Sequence, residues 1–239
     1  MRAHSKIKTI LQMSSLIALM ITVPLALAGN DDDCGYDFEF IPLSDCQVGN
    51  LNPPVGPPVP DIFMGDESYA YHIFPAEQCD SNDEGFILES ITQLLHFNAD
   101  QVPALLNVQP SLLEAVFDTG TDCWVPGPSI YDGPIQTFSI EDCGIITIET
   151  PTPDAPALFL ADHYFLALHY SGNALAQLVV DDDPQPCTEF INRGSGWEDL
   201  NGRKRSGGGK VIIFGDIIFA PASVNEISTT WDGIKSLYK

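Results

Sequence analysis

The sequence contains no lysine or arginine between Gly29 and Asn192. Three of its ten basic residues lie in the first 28 residues and seven lie at or after Arg193, whereas all 33 acidic residues follow residue 28. This balance argues against nucleic acid as a partner, because phosphate binding needs a basic surface. It also excludes Lys or Arg ion pairs within residues 29–192, since one partner is missing. Two explanations of the acidity stay open: a solvated surface for a saline medium, which we favour, or Ca²⁺ binding by some of the carboxylates.

Signatures of common enzyme classes are also absent. The chain has no Gly-x-Ser-x-Gly elbow, no His-Glu-x-x-His helix and no nucleotide fingerprint, and the Gly-rich run before Lys210 lacks the first glycine of a P-loop. His163 and His169 would lie about 20 Å apart on one strand, so they cannot share a metal. We therefore predict a non-enzymatic protein and no catalytic residues.

The N-terminus has the features of a secretory signal peptide. Arg2, Lys6 and Lys8 precede a mainly apolar stretch that ends in Ala26-Leu27-Ala28. Signal peptidase cuts after such a small-x-small sequence, and the apolar core is shorter than the roughly twenty residues that a bilayer span needs. We predict cleavage after Ala28, no transmembrane segment in the mature chain, and export to the periplasm, the cell surface or the medium.

Six cysteines follow the predicted cleavage site, and none forms a Cys-x-x-Cys pair or a zinc-ligand cluster with histidine. An even number in an exported chain predicts three disulfides, although sequence alone does not choose among fifteen connectivities. Proximity along the chain suggests Cys34–Cys46, Cys123–Cys143 and Cys79–Cys187.

Short β-branched and aromatic runs, separated by Gly, Pro, Asn and Asp turns, predict an all-β fold. Eight or more strands without long helical patterns indicate a two-layer antiparallel β-sandwich of jelly-roll type. The predicted organisation is a signal peptide at 1–28, a disulfide-stapled acidic segment with a Pro-rich linker at 29–60, the sandwich at 61–222, and a tail with a short helix at 223–239.

Two segments are ambiguous in this sequence. Phe86 to Phe97 has mixed periodicity, and its context favours a strand over a helix. Ala104 to Phe117 contains Pro110 in its middle, which indicates either two strands or one bulged edge strand, with a short helix over Ser111–Phe117 as an alternative.

Two acidic clusters are candidate calcium ligands. Asp80, Asn82 and Glu84 occupy the first, third and fifth positions of a loop that begins like an EF-hand, but its twelfth position is Ile91 instead of an acid. Asp181 and Asp183 form the second cluster, in which Glu189 could assist. The Cys79–Cys187 pairing suggested above would bring the two clusters together. Calcium is thus the one cofactor that the sequence suggests, against the simpler interpretation of polar turns.

Aromatic residues beside predicted loops are candidate ligand-binding residues. Trp124 and Trp197 are the two that we single out, because an exposed tryptophan can stack on a sugar ring; the alternative is that both pack in the core. Arg203-Lys204-Arg205 is the one basic cluster and could contact the acidic face of another copy, giving head-to-tail self-association.

Three motifs resemble segments of secreted bacterial β-sandwich proteins to which no activity is assigned. They are Cys123-Trp124-Val125-Pro126-Gly127, the run Tyr164 to Gly172, and Gly196-Trp197-Glu198-Asp199-Leu200. The tail from Thr230 to Lys239 is similar to the tails of exported bacterial proteins and is either a packed helix or a sorting tail. The resemblance implies the fold and export only. We expect a binding or structural role outside the cytoplasm, with a calcium-assisted carbohydrate-binding module or a hydrolase as alternatives.

Overall fold

The computed structural model describes the residues numbered 34, 46–54, 62–63, 66–81, 84–172, 174–200 and 209–220. These residues belong to one unit, Asp32–Lys239. The predicted signal peptide, most of the Pro-rich linker, the basic cluster Arg203–Arg205 and the predicted C-terminal helix lie outside the described residues.

Strands make up most of the described chain, as the turn-separated β-branched runs predict. The only helical segments among the described residues are a single turn, α1, and one 3₁₀ turn at Ala99–Gln101. The elements are β1 (Cys46–Gly49), β2 (Ile62–Phe63), β3 (Ser68–Ile73), α1 (Pro75–Gln78), β4 (Gly85–Phe97), β5 (Ala104–Asp118), β6 (Cys123–Asp132), β7 (Gln136–Ile140), β8 (Gly144–Pro151), β9 (Leu158–Phe159), β10 (Tyr164–Gly172), β11 (Ala176–Leu178), β12 (Glu189–Asn192), β13 (Trp197–Asp199) and β14 (Ile213–Ala220).

These strands form two antiparallel sheets that pack face to face, which confirms the predicted sandwich. The first sheet has the order β1-β14-β4-β11-β2, in which β14 and β11 pair with successive parts of the same edge of β4. β8 and β9 pair with the opposite edge of β4. The second sheet has the order β13-β12-β3-β10-β5-β6, with β7 also paired to β5. From β3 onward the chain crosses repeatedly between the sheets, as it does in jelly rolls.

The two ambiguous segments are both long central strands. Phe86 to Phe97 lies within β4, so the strand prediction is confirmed. Ala104 to Phe117 lies within the single strand β5, which is bulged but is not an edge strand, because β10 pairs with one side and β6 and β7 with the other. Pro110 fits there because it lies between the segments that pair with β7 and β6, where its carbonyl accepts the Gly133 N–H at 2.8 Å.

Period-two alternation along β10 separates the core from the outer face. Leu166 and Leu168 are fully buried between the sheets, together with inward side chains of β4 such as Leu88 and Leu95. Burial of each such side chain contributes roughly 1.5–3 kcal/mol relative to exposure. The alternate residue Phe165 belongs to a separate cluster on the outer side of the second sheet.

The three disulfides are Cys34–Cys143, Cys46–Cys79 and Cys123–Cys187, with Cα–Cα distances of 5.3, 5.9 and 5.5 Å. The count is confirmed, but all three pairings suggested by proximity are wrong. Strand order explains the difference, because neighbours in a sandwich come from distant parts of the chain. Each disulfide closes a loop of at least 33 residues.

Two further observations concern compartment and organisation. Three disulfides in a β fold fit a protein of the periplasm or the cell exterior. Within the described ranges, no helix is long and apolar enough to cross a bilayer. Cys46–Gly49, from the predicted N-terminal segment, pairs with β14 and so extends the first sheet, whereas the proposed boundary near Pro60 lies outside the described residues.

Candidate functional site

The outer face of the second sheet carries a compact apolar cluster. Its buried members come from four neighbouring strands, and all follow from the alternation that sends every second side chain outward. They are Ala70, Leu113, Phe165, Ala167 and Phe190. Trp124 and Trp197, both half-buried, pack against this cluster from β6 and β13. The two tryptophans singled out in the sequence therefore lie on one face, and each serves as a cover for apolar residues while keeping part of its surface exposed.

The β5–β6 hairpin bends over this face. Four strand spacings separate β12 from β6 in the sheet order, which is roughly 19 Å in a flat sheet. Cys123 at the start of β6 and Cys187 just before β12 nevertheless have Cα atoms 5.5 Å apart. Register shifts near Leu113 interrupt the β5–β6 ladder, and such bulges sharpen the bend of a strand. β6 thus covers one end of the face, and the Cys123–Cys187 disulfide holds β6 in this position.

A stack of three rings lies at the end of the face that β6 covers. The His163 ring lies between Phe74 and Trp124, with centroids 4.3 Å from each and interplanar angles of 15° and 18°. Phe117, 44% exposed, meets Trp124 edge-on at 5.2 Å. His163 thus covers one face of the Trp124 indole, and Phe117 contacts one of its edges. The half-buried Trp124 is the outermost ring of the stack.

A second histidine completes the cluster. His72 Nε2 and His163 Nδ1 are 3.1 Å apart and share a hydrogen bond, and the two ring planes are nearly parallel. Burial, together with the neighbouring His163, lowers the pKa of His72 to about 4. His72 is therefore neutral at neutral pH. The sequence did not predict this pair, because the two histidines meet through the register between β3 and the start of β10. Their spacing along the chain gives no sign of that contact.

The other end of the face is polar. His169 Nδ1 and Ser68 Oγ are 2.7 Å apart, and the Trp197 ring lies 6.4 Å from the His169 ring at a tilt of 54°. Burial lowers the pKa of His169, although the Asp132 carboxylate opposes this shift. Gln109, also on this face, donates its amide to the Gly133 carbonyl at 3.0 Å. A partly exposed indole beside hydroxyl, imidazole and amide groups is an arrangement that can stack on one side of a sugar and hydrogen-bond to its hydroxyls.

The second acidic cluster is close to a cation supplied by the chain itself. Lys210 Nζ lies 2.9 Å from Asp183 Oδ2 and 3.7 Å from Asp181 Oδ2. Glu189 is buried, and its Oε2 accepts the Val211 N–H at 2.6 Å. The structure thus brings Asp181 and Asp183 together around an ammonium group, whose charge opposes binding of a metal ion there.

The first acidic loop is described only in part, because Asn82 lies outside the described residues. Asp80 and Glu84 are exposed. A depression of about 370 Å³ lies beside them, and Glu84 is its one acidic residue within the described ranges. Cys79 pairs with Cys46 and not with Cys187, so no disulfide links the two acidic loops. Among the described residues, no group of three or more His, Cys, Asp or Glu could hold a metal ion. Calcium binding stays a prediction.

Comparisons with known proteins give limited similarity. No family model and no curated protein matches the chain. One solved structure that it resembles contains the cysteine protease and lectin-like domains of Cwp84, a surface layer associated protein of Clostridium difficile, with a TM-score of 0.42 and 14% identity. The match covers 66% of this chain and 33% of that one, so this chain spans about a third of that protein's length.

Proposed function

We propose that the protein is exported and acts as a non-enzymatic binding protein, with the outer face of the second sheet as its carbohydrate-binding surface. The observation that carries the proposal is the placement of Trp124 and Trp197 on one curved face, each partly exposed, with polar side chains near Trp197. The disulfides and the N-terminal signal-peptide pattern support export.

The charge of the described residues favours an uncharged glycan. The two bases in the described part of the chain, Arg193 and Lys210, are both engaged with buried carboxylates, Glu67 and Asp181. Residues 29–192 supply no other cation. In the described part of the chain, an anionic polysaccharide would therefore meet an acidic surface whose two bases are already paired with carboxylates.

A glycan array with the mature protein tests the proposal. We expect binding to neutral polysaccharides and a loss of about twofold to tenfold in affinity for Trp197→Ala and for Trp124→Ala, because stacking on one ring contributes about 0.5–1.5 kcal/mol. Trp197→Phe, which keeps an aromatic ring, should retain most of the affinity. Leu175→Ala removes an exposed apolar side chain next to the first sheet and serves as the control.

Two results would contradict the proposal in different ways. Glycan binding that survives both tryptophan substitutions would move the site off this face. No binding to any glycan on the array, with the protein folded by circular dichroism, would reject carbohydrate as the ligand.

A further inference from the structure

Lys210 and Asp181 lie side by side because the backbone holds them there. The Val180–Val211 bridge joins their neighbours, and the Asp181 N–H donates to the Lys210 carbonyl at 2.9 Å. Gly209 allows this approach, since a Cβ at that position would lie 1.5 Å from the Asp181 carbonyl oxygen. The pair is therefore positioned by strand pairing and not by flexible side chains alone.

Both side chains of this pair are removed from solvent. The Lys210 side chain is 7% exposed and that of Asp181 is 0% exposed. Moving an ammonium and a carboxylate out of water into the protein interior has a large free-energy cost. The attraction between the two charges offsets this cost only when their geometry is good. Lys210 Nζ and Asp181 Oδ2 are 3.7 Å apart, which is longer than a hydrogen bond.

We propose that Lys210 Nζ and Asp181 Cγ become joined by an intramolecular amide bond, with release of one water. This condensation replaces two buried charges by one neutral amide and so removes their desolvation cost. It goes beyond the proposed binding function and does not depend on it.

The neighbouring groups suit each step of the condensation. Asp183 Oδ2, 2.9 Å from Nζ, relays one proton from the ammonium to Asp181 Oδ2, and burial favours the resulting neutral amine, the nucleophile, and neutral carboxylic acid, its target. The amine attacks Cγ of Asp181, a C–N bond forms, and the carbonyl electron pair moves to Oδ1. Oδ1 already accepts the N–H groups of Lys210 at 2.6 Å and Asp183 at 3.0 Å, so two backbone donors stabilise the charge that develops there.

Collapse of this intermediate breaks the Cγ–Oδ2 bond. Oδ2, which accepts the Asn52 amide at 2.8 Å and already carries the relayed proton, takes the second proton from nitrogen and leaves as water. The atoms balance without an oxidant or a co-reactant. Asp183 is 53% exposed, so protons and the released water have a route to solvent on its side.

Such a bond would tie the segment that enters β14 to the segment that follows β11. β14 lies between β1 and β4 in the first sheet, so the cross-link would secure a central strand. A cross-link of this kind stabilises chiefly by restricting the unfolded chain, as disulfides do.

Mass spectrometry of the mature, reduced protein tests the proposal. We expect the measured mass to lie one water below the mass calculated from the amino-acid sequence of the mature chain. A proteolytic digest should contain a branched peptide that joins residues 181 and 210. Lys210→Arg keeps the positive charge but removes the nucleophile, and it should have the full mass. Asp181→Asn should lose one ammonia instead of one water.

Two outcomes would overturn the inference. Separate linear peptides that contain Asp181 and Lys210 in the wild-type digest would show that no bond forms. A missing water that persists in Lys210→Arg would assign the loss to another site, such as a succinimide at an aspartate. The digest of the wild-type protein decides the question even if a variant does not fold.

Discussion

Tyr71 and His72 are neighbours on β3, yet they lie in opposite electrostatic environments. Tyr71 points into the sandwich, where burial and the nearby carboxylates of Glu189, Asp181 and Asp183 raise its pKa well above the ordinary value. His72 points outward into a cluster of rings, where burial lowers its pKa to about 4. One sheet therefore separates an ionic interior cluster from a neutral aromatic face.

The difference shows how a chain with so few bases distributes its charge. Each described base neutralises a carboxylate that is at most 3% exposed: Arg193 pairs with Glu67, and Lys210 pairs with Asp181. Both bases come from the last quarter of the chain. The outer face of the second sheet contains histidines and tryptophans but has no free Lys or Arg among the described residues, which suits stacking on an uncharged ligand.

The largest expected effect is on the ionic side. Lys210→Ala removes the proposed amide bond and leaves the Asp181 carboxylate buried without a cation, so the free energy of unfolding should fall by about 3–5 kcal/mol or more. Urea unfolding followed by fluorescence measures this loss. Ile135→Ala, at a residue that is 64% exposed, is the control and should change stability little. Wild-type stability in the Lys210→Ala variant would mean that Asp181 does not depend on this partner.

The next effect is a pH dependence on the aromatic side. The pKa of His72 is about 4 in the folded state and about 6.5 in the unfolded state, so the unfolded chain binds the extra proton between these values. The contribution of His72 to the free energy of unfolding is fully present above about pH 6.5. It is lost as the pH falls toward 4, by about 3 kcal/mol in total.

The matched variant for this pH effect is His72→Phe, which keeps a ring but cannot titrate. Its unfolding free energy should fall less than that of the wild type between pH 7 and pH 4, and the difference between the two curves isolates His72 from the carboxylates. Parallel curves would show that His72 does not titrate in this window.

A smaller loss is expected for Arg193→Gln. Arg193 Nε donates to Glu67 Oε1 at 2.8 Å, and Glu67 Oε2 accepts the Tyr69 hydroxyl at 2.5 Å. Because the Arg193 side chain is 45% exposed, solvent screens part of this interaction, and we expect a loss of about 1–2 kcal/mol. Thermal unfolding at low and high salt measures it. A loss as large as that of Lys210→Ala would mean that exposure does not weaken the pair.

The smallest stability effect is expected at Phe117. Phe117→Ala removes a ring that is 44% exposed beside Trp124, so stability should fall by less than about 1 kcal/mol. Phe165→Ala, at a fully buried ring of the same face, should cost about 3–5 kcal/mol and is the contrast. Equal losses at the two positions, measured by denaturant unfolding, would show that Phe117 is part of the buried cluster.

Local patterns predicted the strands well. β-branched runs such as Ile145 to Ile148 and the apolar run from Tyr164 to Tyr170 are strands in the structure, and Trp124 and Trp197 could be singled out before their positions were known. The disulfide pairings could not be predicted in this way. Cys123 and Cys143 are only twenty positions apart, but Cys123 starts an edge strand that bends toward Cys187 on the far side of the sheet.

The sequence alone determined the antiparallel β class, the disulfide count and, after residue 28, the confinement of Lys and Arg to the last quarter of the chain. These properties depend on composition and on a two-residue period that acts locally. Only the tertiary structure decided that His72 meets His163, that both tryptophans share one face, and that Lys210 lies against Asp181. Each of these contacts joins residues at least 29 positions apart, and their meeting depends on strand order and register, which no local pattern specifies.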